Sequence, residues 1–242
     1  NNRPLRKAIL YGIDVRAKKQ IEQLNEELGE EYVLEKYGNP ITSQSIGPKI
    51  LWIKENEPEV YEKAAKFITS TTYLVAKLTG EYCIDNYTAA YFTPMYDLEA
   101  CDWDYDNIER FCRADQLAKC LWTDEIAGAV TKKAAEETGL AEGMPVTVGT
   151  ADAAAEAVGI GVFNPGDMMA MFGSSLYMIH IVPSLITDRR YWAGPYLFQG
   201  TYMVASGMST SGTLTRWFRD QLAPDFLDIE KSKGRNAYEL LT

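Results

Sequence analysis

One histidine and four cysteines leave little material for a metal centre or a histidine-based triad. A zinc site draws on closely spaced Cys and His ligands. Cys83, Cys101, Cys112 and Cys120 form no CxxC pair. They read as reduced, partly buried thiols of a cytosolic protein. His180 lies inside the apolar run 176–182, which places it on a strand rather than in a hydrolase triad. No apolar run is long enough to cross a bilayer, and residues 1–17 lack the apolar core of a secretory signal. A cytoplasmic location is the expectation. Basic residues are outnumbered, 24 Lys and Arg against 34 Asp and Glu, for a net charge of -10. That balance argues against nucleic acid and anionic membranes as partners. No GxxxxGK[ST] loop occurs, and Gly159-Ile160-Gly161 lacks the third glycine of a dinucleotide fingerprint. Asp102-x-Asp104-x-Asp106 alternates as a calcium loop does, without the turn glycine or closing glutamate. It reads as a solvated acidic loop.

What is present is an ordinary globular composition over 242 residues, 46% hydrophobic, enough for one large domain or two small ones. The apolar run 8–13 reads as a strand, followed by a charged amphipathic helix over 17–28 that Gly29 stops. Asp14 and Arg16 read equally as a salt bridge orienting that turn or as a solvated strand end. Gly38-Asn39-Pro40 is a loop, 49–55 a helix, and Glu57-Pro58-Glu59 starts another. A short strand is expected at Phe67-Ile68 and a helix over 71–78 ended by Gly80. Asp85 is a good N-cap for a small helix at 88–90. A helix is expected over 108–114 and another over 131–138, capped by Gly139.

The stretch 145–175 holds the densest information. An apolar run at 145–148, a Gly149-Thr150 turn, Asp152, a small-residue helix over 153–161 and a second apolar run at 168–172 precede Gly173-Ser174-Ser175. The pattern is strand, turn, helix, strand, turn. Strands are expected at 176–182 and 202–205, with an aromatic loop, 191–198, between them. The hydroxyl-rich turn 207–212 opens a helix over 214–222 that Pro224 stops, and 236–242 reads as the start of a further helix. Gly/Ser/Thr turns thus follow strands twice, and backbone N–H groups in such turns can cradle phosphate. Taken alone, Asp152 is a helix N-cap and the two turns are turns. Thr210 and Ser211 read as caps, and Trp52 and Trp217 as core packing.

Several segments, in this order, resemble the FGGY carbohydrate kinases, the actin-like, hexokinase-like group: residues 11–17, Pro48-Lys49-Ile50-Leu51-Trp52-Ile53, Leu78-Thr79-Gly80 with Asp85-x-x-Thr88-Ala89, the stretch 145–175, and GMSTSGTLTRWFRD from Gly207. The resemblance implies an α/β protein of the actin-like, ribonuclease H-like ATPase fold, holding the later part of domain one (1–163) and the start of domain two (164–242). The break falls near Phe163-Asn164-Pro165-Gly166. It implies ATP-dependent phosphorylation of a sugar or polyol with Mg2+, a ketopentose such as xylulose being the first choice. Asp152 aligns with the catalytic base in D-x-x-A-x-x-x-G, completed by Ala155 and Gly159. Gly173, Ser174 and Ser175 align with a phosphate-contacting turn, Gly212 with a glycine near the nucleotide, and Arg216 with a polar side chain reaching it. Gln44 occupies a position that is often aromatic; as a sugar contact it competes with a loop glutamine of no role. A small-molecule sugar is the expected partner, with a homodimer as a further expectation.

Two departures matter. Family members often carry Asn or Gln after the base, where this chain has Ala153. The family's D-x-G-T phosphate loop and its glycine-rich adenosine segment lie outside the matched stretches, so an internal fragment is expected. Such a fragment would expose unpaired sheet edges and turn over little ATP alone. A catalytically inactive sugar-binding or regulatory protein, and an actin-like ATPase with protein partners, are the alternatives.

Overall fold

The computed structural model describes residues 3–241. The chain opens with a turn, then α1 (Lys18–Leu28) and α2 (Glu30–Tyr37), separated by Gly29 at φ 78°. α3 (Gly47–Asn56) and α4 (Pro58–Lys63) each carry a proline in the first turn, Pro48 and Pro58, where no N–H is missed. α5 (Ser70–Thr79) is capped by the Thr69 side chain and ended by left-handed Gly80. β1 (Cys83–Asp85) runs directly into the short α6 (Asn86–Ala89) and a 3-10 turn, Ala90–Phe92. A small hairpin joins β2 (Tyr96–Asp97) to β3 (Asp102–Trp103). β4 (Lys119–Leu121) lies parallel to β1. β5 (Ile126–Ala129) leads into α7 (Lys132–Thr138) and returns as its antiparallel partner β6 (Pro145–Thr147). α8 (Asp152–Gly159) follows.

The last part is an antiparallel sheet of β7 (Met168–Phe172), β8 (Leu176–Val182), β9 (Trp192–Pro195) and β10 (Tyr202–Met208), ordered β7-β8-β10-β9. α9 (Gly212–Leu222) and α10 (Pro224–Lys233) close the described chain. One core gathers Leu24, Tyr37, Ile50, Phe92, Trp103 and Phe111 from the helical part. A second lies on the sheet, where Met169, Ile179, Ile181 and Met203 meet Ala154 and Ala157 of α8 and Tyr87 of α6. Alanine at 154 and 157 lets the α8 backbone approach the sheet closely. The seat of Asp152 is therefore set by the second core. Among the described residues, no helix is long and apolar enough to cross a membrane.

Most expected elements are present, including the helices that Gly29, Gly80 and Gly139 end. The exceptions have physical reasons. Residues 8–13 are no strand: Gly12 takes φ 67°, the Ile13 N–H donates to the Tyr11 carbonyl (2.8 Å), and Leu10 and Ile13 stay exposed. An apolar run becomes a strand only against a partner, and none lies beside it among the described residues. Phe67-Ile68 forms no ladder among the described residues; the Phe67 N–H donates to the Gln116 carbonyl at 2.8 Å. The 108–114 helix is replaced by two one-turn 3-10 segments, Ile108–Arg110 and Ala114–Gln116. The aromatic loop contains β9, an edge strand that tolerates Pro195 at its end. Pro224 is the first residue of α10, not merely a stop. Overlapping turns, not a helix, occupy 236–241; Thr242 lies outside the described residues. Trp217 is 52% exposed, against the core placement expected of it, whereas Trp52 packs on the first core and under Arg16.

Candidate active site

The turn between β6 and α8 presents Asp152. Gly149 takes φ 71°, which a side chain would strain. Thr150 is held at both ends: its hydroxyl donates to Asp85 Oδ2 (2.8 Å), and its carbonyl accepts from the Thr71 hydroxyl (3.2 Å). The helix N-cap is Ala151, not Asp152. Asp152 is the first helical residue, exposed, with Oδ1 accepting from the Ala153 N–H at 2.9 Å. The cap role therefore does not consume this carboxylate. It has no ion-pair partner among the described residues, and the positive end of α8 favours negative charge there.

Tyr11 lies near it, at the edge of a tyrosine cluster. The Tyr11 hydroxyl donates to Gln44 Oε1 at 3.1 Å. Loss of water around that hydroxyl, then Tyr177 and Asp152 nearby, pushes its pKa up to about 12. The Tyr87 and Tyr177 hydroxyls lie 3.4 Å apart, and Tyr91 stacks edge-on to Tyr87 at 5.9 Å. Burial pushes Tyr87 and Tyr91 well up. Gln44, Tyr11, Tyr177 and Asp152 thus form one neighbourhood. Next to it, Asp14 and Arg16 pair at 2.6 Å, and Arg16 holds the Asp14 carboxyl down at about 2.

Two residues before Tyr177, the Gly173-Ser174-Ser175 turn meets the start of α9. The Ser211 N–H donates to the Ser174 carbonyl (2.8 Å), and the Gly212 N–H to the Gly173 carbonyl (3.0 Å). A Cβ on Gly212 would stand 2.6 Å from the Gly173 carbonyl oxygen, so only glycine fits. Ser211 sits at the N-cap without a side-chain cap bond, so neither it nor Thr210 caps the helix as expected. The Ser174 and Ser175 amides have no hydrogen-bond partner among the described residues. Free amides, small hydroxyls and a helix N-terminus fit a phosphate chain. Arg216 is not drawn into this turn: it is exposed and pairs with Asp220 at 3.7 Å.

Comparison with known proteins identifies the family. Residues 1–159 match the FGGY family of carbohydrate kinases, N-terminal domain. The chain belongs to the FGGY family. An autoinducer-2 kinase of Enterobacter sp. (strain 638) is 30% identical over 236 residues, covering 95% of this chain and 44% of that protein. Its counterpart in Klebsiella pneumoniae shows the same figures, 30% and 44%. Among solved structures, xylulose kinase from Rhodospirillum rubrum superposes with a TM-score of 0.84 at 29% identity, over 91% of this chain and 45% of that one. Plasmodium falciparum glycerol kinase with ADP shares the fold, at TM-score 0.81 and 18% identity, over 95% of this chain and 48% of that one. The fold is thus a part of the actin-like ATPase architecture of FGGY sugar kinases. The chain spans about half the length of the curated relatives it matches, 44%.

The FGGY motifs named Asp152, Gly173–Ser175 and Gly212, and the last two are joined by direct hydrogen bonds. Gln44 is brought to the Asp152 neighbourhood through Tyr11. Sequence reasoning missed Tyr87, Tyr91 and Tyr177 and gave Tyr11 no role. Tyrosines at 87 and 91, spaced four apart, were the one available signal.

Proposed function

We propose that this chain carries the base and one phosphate turn of an ATP-dependent sugar kinase. The observation that carries the reading is the exposed Asp152 carboxylate, unpaired among the described residues, which shares the surroundings of Tyr11 with Tyr177, two residues after the Gly173–Ser175 turn that bonds to the start of α9. Asp152 would take the proton from a sugar hydroxyl as that oxygen attacks the γ-phosphorus in line. Such a base contributes about 10²–10⁴-fold. Gly173, Ser174, Ser175 and Gly212 would hold the phosphate chain, with Arg216 reaching it after turning from Asp220. Bound ATP with Mg2+ would supply the phosphoryl group and neutralise its charge. Gln44 and Tyr11 would orient the sugar, taking over polar contacts that Ala153 lacks. The division of domains at Phe163/Asn164 belongs to the same reading. It is supported by a tight turn there, in which Asp167 Oδ2 accepts from both amides, at 3.1 and 2.8 Å.

A ketopentose such as xylulose is the first substrate choice, supported by the 29%-identical xylulose kinase. Autoinducer-2 is the second, favoured by the 30%-identical relatives. The test is a panel of xylulose, ribulose, glycerol and autoinducer-2 presented with MgATP to the full-length protein, reading ADP and phosphorylated product together. Stoichiometric product from one member supports the kinase reading. A sugar that binds and is never phosphorylated points to an inactive sugar-binding protein, and ATP hydrolysis without any sugar to an actin-like ATPase.

A further inference from the structure

Asp85 is the acid that no assigned role requires. It is 1% exposed and has no cationic partner within 4 Å among the described residues. Burying an unpaired carboxyl is costly, and here burial pushes its pKa up. Capping alone does not explain the choice. Its Oδ2 accepts from the Thr88 N–H at 3.1 Å, closing the start of α6, and Asn or Ser caps a helix as well without a charge. The same oxygen accepts from the Thr150 hydroxyl at 2.8 Å, across 65 residues of sequence. One buried oxygen therefore ties α6 to the turn that ends, two residues later, in Asp152. Carboxylate acceptors make the stronger hydrogen bonds such a tie needs.

We propose that Asp85 is a positioning residue that sets the place of Asp152 through the Thr150 hydroxyl. This rests on the reading of Asp152 as the base. The Thr71 hydroxyl fixes the other side of Thr150, so the residue has little freedom to shift its turn. The segment after Asp85 extends the same device. Tyr87 places its hydroxyl 3.4 Å from that of Tyr177, beside the phosphate turn. The Tyr91 carbonyl accepts from the Ile46 N–H at 3.0 Å, two residues beyond Gln44. Base, phosphate turn and sugar-side loop are thus registered against one short helical segment. Misplacing a reacting group by about 1 Å can cost about 10²-fold in rate.

The test is steady-state kinetics of full-length T150V, T150S and D85N, each with and without D152N, on the sugar that the wild type phosphorylates. T150V should lower kcat about 10- to 100-fold while KM for ATP stays within about two-fold. T150S, which keeps the hydroxyl, should restore most of kcat. D85N keeps both acceptor bonds on a neutral oxygen and should lower kcat in the same direction by less. In the D152N background T150V should cost nothing further, since residues acting as one unit are not additive. The proposal is overturned by wild-type kcat in T150V, by equal losses in T150S and T150V, or by a T150V loss that persists in full with D152N. If T150V does not fold, D85N decides: unchanged kcat there also overturns it. Activity of D152N near wild type would instead remove the base assignment itself.

Discussion

Two helices of similar length show how differently the halves of this chain are held. α3 buries Pro48, Lys49, Ile50, Leu51 and Ile53. α9 has no buried residue, although Leu214, Trp217, Phe218 and Leu222 lie on it at 45–61% exposure. α3 is fixed by packing. α9 is fixed at its N-terminus by the hydrogen bonds that Ser211 and Gly212 make to the Gly173–Ser174 turn. The sugar side of the proposed site therefore rests on a core, and the phosphate side on a backbone junction. Stability and nucleotide handling should respond to different residues.

The largest stability effect should come from the first core. Phe111 is fully buried, and Phe111→Ala should cost about 3–5 kcal/mol, while Trp217→Ala on α9 should cost less than about 0.5. Chemical denaturation of the two variants checks this; equal losses would break the comparison. Two glycines sharpen it. A Cβ on Gly47 would stand 2.7 Å from the Thr93 carbonyl oxygen, and Gly47→Ala should lower stability by about 1–3 kcal/mol. Gly212→Ala pushes on the Gly173 carbonyl instead. It should raise KM for ATP about 10-fold with only a small change in melting temperature. Calorimetry beside ATP titration separates the two.

The smallest effects concern pH. The Arg16 hydrogen bond holds Asp14 at about 2, below its ordinary 3.8. Its contribution is present above about 4 and lost as pH falls toward 2. Burial raises Asp85 above the same ordinary value, 3.8, so the folded chain binds that proton more readily. Its contribution is full below about 3.8 and declines as pH rises through the folded pKa. Subtracting the D14N and D85N stability curves from wild type should give slopes of opposite sign. Slopes of one sign would contradict the assignment of their surroundings.

Helices with local punctuation were legible in the sequence: Thr131 and Gly139 bracket α7, and Gly29 ends α1. Elements that depend on a distant partner were not. The apolar run 8–13 found no strand to pair with, and β9 was hidden by Gly194 and Pro195 until β10 lay beside it. The site divides in the same way. Asp152 and the Gly173–Ser175 turn sit in a contiguous motif. Tyr177, Tyr11 and the Asp85–Thr150 bond are long-range meetings that no spacing encodes.

The central claim, that Asp152 is the base, is tested most directly by Asp152→Asn in the full-length protein on its working sugar. Among the described residues the exposed side chain makes one local hydrogen bond, so folding should be unaffected. The variant's kcat should be lower by about 10²–10⁴-fold, with the melting temperature and ATP affinity retained. Phosphorylation by D152N within a few-fold of wild type would contradict it.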